Sequence, residues 1–196
     1  MDTEIIIVSG LPRCGTSLMM QMLANGGVEV IADHIRGADA DNPRGYYEFE
    51  RVKKLKQDAS WLPGVRGKAV KMVSQLLYDL PPSERYRILF MERDMDEMLD
   101  SQEKMLQRLG NKAVPREEIK LAFGKHLVRL FQWLDQQRNM QLLRVRYNDL
   151  LHHPEVQARR VREFLGDKGD LERMIASVDH SLYRNRKEPS ENEARA

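Results

Sequence analysis

The chain has 196 residues, with 32 Lys and Arg against 30 Asp and Glu and a formal net charge of +2. That length suits one domain with a sizeable core, and the near-neutral balance gives no electrostatic footing for nucleic acid or an anionic membrane. Hydrophobic residues make up 41% and mean hydropathy is -0.60, and no run approaches the ~18 apolar residues that crossing a bilayer takes, so the composition is that of a globular protein in water.

Residues 4–9, EIIIVS, form a β-branched run that predicts a strand. The run breaks at Gly10, Pro12 and Gly15, and the stretch that follows predicts a helix over residues 16–25, stopped by Gly26 and Gly27. A short apolar piece, VEVIA, leads into DHIRGADADNPRG, residues 33–45, which has no periodicity and reads as a loop. Residues 46–60 read as helical and KAVKMV as a strand. Beyond the PPSER punctuation, an apolar strand is expected over residues 87–91, then helices over 94–108 and 117–137, with Pro115 near the start of the second. A strand over 141–147 and a helix over 154–165 complete the pattern. The domain is expected to span residues 1–187, and the charged end, 188–196, to be disordered. Strands separated by helices predict a three-layer α/β/α fold with a central parallel sheet, of the P-loop nucleotide-binding type. Ligands of such sheets bind beyond the carboxyl ends of the strands.

The chemistry is concentrated in residues 10–17, GLPRCGTS. Backbone N–H groups at a helix start, with the positive end of the macrodipole, hold an anion. An NTP-hydrolysing loop reads G-x-x-x-x-G-K-[ST], its lysine reaching the β- and γ-phosphates. Here Thr16 follows the second glycine, and the loop's one cation, Arg13, precedes that glycine by two residues. The usual counter-charge for a triphosphate is gone, while a 5′ phosphate carrying one transferable group is still served.

A strand followed by GLPRCGTS resembles the 5′-phosphosulfate loop of the sulfotransferases, G-x-P-[RK]-S-G-T-[ST]. Residues 86–101, YRILFMERDMDEMLDS, are similar to that family's 3′-phosphate site, an arginine at a strand end and a serine one helix later, here Arg93 and Ser101. An arginine fork suits a phosphate dianion through bidentate, charge-assisted hydrogen bonds. VRYNDLLHHPEVQARRVREFLG, residues 145–166, resembles the family's strand, Y-x-D-L turn and FLG helix. The resemblance implies 3′-phosphoadenosine 5′-phosphosulfate (PAPS) as donor and 3′-phosphoadenosine 5′-phosphate (PAP) as product. It further implies that Pro12, Arg13, Cys14, Gly15, Thr16 and Ser17 cradle the 5′ end and that Arg93 and Ser101 hold the 3′ phosphate. Arg13 is the expected stabiliser of the leaving group.

Two departures follow from the same resemblance. Enzymes of small phenols and alcohols carry a K-T-H segment whose histidine is the base; in VKMVSQLL, residues 70–77, Lys71 matches the lysine but Val73 stands where the histidine would. Lys71 remains a candidate for the sulfuryl oxygens. The base is sought instead in DNPRGYYEFE, residues 41–50, which resembles the N-P-x-G-[YF]-x-E segment of bacterial and carbohydrate-type members. Glu48 leads, with His34 and Glu50 as alternatives and Tyr46 and Tyr47 as acceptor-pocket linings. The family's C-terminal R-K-G-x-x-G is reduced to YRNRK, in which Arg184, Arg186 and Lys187 either close over the nucleotide or form a solvated tail.

The acceptor is expected to be a small molecule or carbohydrate, with no nucleic-acid or membrane partner. No metal is required, and adjacent His152 and His153 read as loop residues. Cys14, the single cysteine, permits no internal disulfide; its place at a helix N-terminus favours a thiolate that PAP would shield, the alternative being a buried, inert thiol. Acids in the opening MDTEIII stand where a secretion signal carries Lys or Arg, so a cytoplasmic protein is expected. Two other classes stay open: a P-loop kinase or NTPase, and a nucleotide-binding protein without catalysis.

Overall fold

A computed structural model describes residues 3–178, apart from 34, 36, 40, 41, 43, 44, 109 and 111–114. Five strands run in one parallel sheet: β1 (Glu4–Gly10), β2 (Val30–Ile31), β3 (Ala69–Lys71), β4 (Arg85–Glu92) and β5 (Met140–Arg146), in the spatial order β2-β3-β1-β4-β5. The helices are α1 (Thr16–Asn25), α2 (Met95–Arg108), α3 (Arg116–Leu134), α4 (Tyr147–His152), α5 (Pro154–Phe164) and α6 (Leu171–Ala176). The expected three-layer architecture is what forms.

Central strand β1 is apolar from Ile5 to Val8 because both its faces are covered. Ile6 and Val8 pack with Leu89, Met91 and Val145 against α1, α4, α5 and α6. Ile5 and Ile7 point the other way, with Tyr86, Ile88 and Phe90, onto α3 and three 3₁₀ turns at Glu50–Lys54, Leu62–Val65 and Ser74–Asp79. Among the described residues no helix is long and apolar enough to cross a membrane.

The chain leaves β1 toward β2 and β3 on one side and then crosses to β4 on the other, so the strand order reverses at β1. Open parallel sheets bind ligands in the crevice at such a switch point. Register brings the pieces level: Lys71 lies opposite Val8, Met91 opposite Gly10, and Arg146 opposite Glu92. The residues that follow these strand ends share one edge of the sheet.

Two expectations are corrected. Residues 46–60 are not an α-helix; Tyr47 adopts φ 51°, in the left-handed region, and only the 3₁₀ turn at Glu50–Lys54 is helical. The segment is held by Val52 and Leu55 in the core and by Phe49 edge-on to Trp61 at 5.2 Å. The expected Y-x-D-L turn is the short helix α4, with Asp149 in its first turn.

Candidate active site

The loop between β1 and α1 turns on its two glycines. A Cβ on Gly10, at φ 154°, would lie 2.4 Å from Cys14 Sγ and 2.6 Å from the Met91 carbonyl oxygen. One on Gly15, at φ 99°, would lie 2.4 Å from Cδ2 of Tyr147. Larger residues do not fit at either place, and Gly15 takes the left-handed conformation that L side chains avoid. Arg13 adopts it without that freedom, at φ 68°, a strain of the kind that packed functional sites sustain. Helix α1 starts with no side-chain cap, so the amides of its first turn, including Thr16 and Ser17, lack intrahelical acceptors. Pro12, Thr16 and Ser17 are half-buried around this end.

On the β4 side Arg13, Arg93 and Ser101 come together, with Ser101 bonded to Arg13. Arg13 Nε donates to Ser101 Oγ at 3.1 Å across 88 residues of sequence. Arg93 Nη1 donates to the Arg13 carbonyl at 3.3 Å, its Nε donates to Glu97 Oε2 at 3.2 Å, and its guanidinium lies 4.5 Å from the centroid of the Tyr147 ring. The Arg93 and Glu97 side chains are 7% and 4% exposed. Glu97 also accepts from Asn148 Nδ2 at 3.3 Å, so its buried carboxylate is shared by two donors, as burial of a charge requires. Burial raises the Tyr147 phenol, with Arg93 pulling it back.

On the β3 side, Lys71 Nζ donates to Ser17 Oγ at 3.2 Å and to the Tyr46 carbonyl, with the Tyr46 ring 5.9 Å away. Lys71 therefore points into the crevice rather than into solvent. The Tyr46 hydroxyl donates to Asp39, 2.8 Å from each carboxylate oxygen, which fixes the loop from below. Glu48 is half-buried, and its carbonyl accepts from the Asp33 amide at 3.0 Å. Glu50 is exposed, its carboxylate engaged by Lys53. His34, Arg184, Arg186 and Lys187 lie outside the described residues.

The thiolate expected at Cys14 does not form. The thiol is 1% exposed, beneath the loop rather than on it, and burial pushes its pKa up to about 12 despite the Thr16 amide beside it. A helix N-terminus lowers a thiol only where water or a counter-charge offsets desolvation.

Sequence reasoning gave no role to three residues here, Glu97, Tyr147 and Asn148, although the Y-x-D-L match begins at Tyr147. A signal existed for Glu97, since i,i+4 from Arg93 puts the two side chains one turn apart. Tyr147 is fixed by the close approach of α4 to the loop, which no local pattern encodes.

Cations from three strand ends, hydroxyls of Ser17 and Ser101, and the uncapped start of α1 converge at one edge of the sheet, an arrangement that can hold a ligand with more than one anionic group. Comparison with known proteins agrees with this chemistry. A family model described as "Sulfotransferase domain" matches residues 2–195. Three solved structures share the fold: the sulfotransferase domain from the curacin biosynthetic pathway, at TM-score 0.59 and 17% identity over 95% of this chain and 92% of that one; a sulfotransferase from Alicyclobacillus acidocaldarius, at 0.52 and 18% over 86% and 84%; and STF9 from Mycobacterium avium, at 0.56 and 12% over 96% and 70%. A search of curated proteins returned no match. With its loop, its parallel sheet and a family match over nearly its whole length, the chain belongs to the sulfotransferase domain family.

Proposed function

We propose that this protein transfers a sulfuryl group from PAPS to a hydroxyl or amine of a small-molecule or carbohydrate acceptor. The observation that carries the reading is the meeting of Arg13, Arg93 and Ser101 on one side of the α1 N-terminus and Lys71 on the other. The residues fit the donor's charges: one anionic group for the helix start, a second for Arg93, and Lys71 beside Ser17 toward the acceptor. Glu97, the carboxylate in this cluster, is already engaged by Arg93 and Asn148.

PAPS, when bound, supplies an activated sulfuryl group whose departure leaves negative charge on a phosphate oxygen. The amides of Thr16 and Ser17 and their hydroxyls hold the 5′ phosphate. Arg13, already fixed by Ser101, donates to the oxygen where charge develops, which is the most effective place for a preorganised cation. Lys71 donates to the sulfuryl oxygens. Arg93 grips the 3′ phosphate through its guanidinium. Glu48 accepts the acceptor's proton.

The test is incubation with PAPS and a panel of phenols, alcohols, sugars and amines, following PAP and the sulfated product together. Equal amounts of both support the reading. A protein that binds PAP and sulfates no member of the panel is instead a nucleotide-binding protein on the same fold.

A further inference from the structure

Helix α2 carries two charged faces. Glu97 and Ser101, four residues apart, face the crevice and bond to Arg93 and Arg13. On its other side Asp96, Asp100 and Glu103 converge on one residue of α3, Arg116. Its Nη1 lies 2.6 Å from Asp100 Oδ1 and 3.4 Å from Glu103 Oε1, and its Nη2 lies 2.9 Å from the Asp96 carbonyl oxygen and 3.3 Å from Asp96 Oδ1. Lys120, one turn along α3, adds a contact to Asp96 at 3.0 Å.

Apolar packing alone holds α2 weakly. Its buried apolar residues are Met98 and Leu99, which share a small cluster with Leu11, flanked by Met95, Ile119, Phe123 and Leu127. Gln102 Oε1, beside Ser101, is a buried acceptor with no hydrogen-bond partner among the described residues. A single exposed ion pair contributes little. A planar guanidinium that joins three side chains and a carbonyl along one helix fixes that helix in both rotation and height.

We infer that Arg116 is a positioning residue for the nucleotide: it clamps α2 from behind, so that Ser101 and Glu97 orient Arg13 and Arg93. The inference rests on the proposed reading of Arg93 as the group that binds the 3′ phosphate. Its consequence is selective. Loss of the clamp acts most on Arg93, which reads the 3′ phosphate, and frees the Arg13 side chain from Ser101, while the backbone of the 10–17 loop stays held by β1 and α1.

The test compares the affinity of PAP with that of adenosine 5′-phosphosulfate, which has no 3′ phosphate, in wild type, Arg116→Ala, Arg116→Lys and Asp100→Asn. The wild type is expected to prefer PAP. Arg116→Ala should cut that preference by about fivefold or more, through the indirect route alone. Lysine, a point charge without the fork, should restore part of it, and Asp100→Asn should lose part of it with Arg116 intact. Arg66→Ala is the stability control: it breaks the paired contacts to Glu84, at 2.8 and 2.7 Å, before β3 and β4 at the opposite edge of the sheet. It should lower the melting temperature with the preference unchanged. An unchanged preference in Arg116→Ala and Asp100→Asn, with the wild type still favouring PAP, overturns the inference alone. A wild type that binds both ligands equally overturns the 3′-phosphate reading and the inference with it.

Discussion

The two flanks of the crevice are built differently. On the β4 flank Arg13, Arg93, Glu97 and Ser101 interlock on or directly beside β4, α1 and α2, and Arg93 and Glu97 are almost wholly buried. On the β3 flank Lys71 is held by Ser17 and by a carbonyl of the irregular segment around Tyr46, which is tied to Asp39. Rigid elements position groups more closely than loops do. On the proposed function, the first flank serves the donor nucleotide and the second the acceptor.

The largest expected effect tests the loop-built flank. Glu48→Gln keeps the shape and a hydrogen-bonding group but cannot take a proton, so single-turnover sulfuryl transfer at saturating PAPS should fall about 100- to 10,000-fold. PAP affinity should stay near wild type. Retention of more than about a tenth of the rate would assign the proton to another group and make His34 the next residue to replace.

On the rigid flank, Arg93→Ala removes a charge-assisted contact worth about 1.5 to 3 kcal/mol. PAP should weaken by roughly 10- to 150-fold in equilibrium titration, and adenosine 5′-phosphosulfate far less. Equal weakening of the two would show that Arg93 supports the fold of the crevice rather than reading the 3′ phosphate.

Gly15→Ala probes the contact between the loop and α4. The new methyl meets Tyr147 at 2.4 Å in a left-handed conformation, at a cost on the order of 1–3 kcal/mol. The melting temperature should drop and PAP binding weaken together. A variant as stable as wild type would mean that the loop relaxes freely, against the packing described.

The smallest effect expected is at Cys14. With the thiol raised to about 12 by burial, iodoacetamide at neutral pH should label it slowly with or without PAP, and readily only after denaturation. Fast labelling of the folded protein, read by mass spectrometry, would place the thiol on the surface of the loop.

These differences explain what the sequence made legible. Helix α1 is found at Thr16–Asn25, as its glycine boundaries predict, because Gly15 and Gly26 act within one turn of the residues they limit. β4 and the Arg93 to Ser101 spacing are readable for the same reason, since both lie in one short stretch. The 3₁₀ turn at Ser74–Asp79 and the course of residues 46–60 are not. Their shape depends on where Trp61, Leu62 and Leu77 bury against β1 and β4, contacts made across the chain. The short helix α6 did carry a local mark that was missed: Asp170 caps it, accepting from the Arg173 amide at 3.1 Å. Which of the two readings of the Cys14 thiol holds is not legible in the sequence, because depth beneath a loop is a property of packing, not of position in a motif.

The most direct test of the account is thermal unfolding of the whole chain with PAP, and separately with ATP and magnesium. At about 100 times its dissociation constant, a ligand of the native state adds about 2.7 kcal/mol, or a rise of roughly 5 to 10 °C for a domain of this size. The account predicts that rise with PAP and none with ATP and magnesium at the same concentration. A rise with ATP and magnesium alone would contradict it and return the crevice to the triphosphate-binding class.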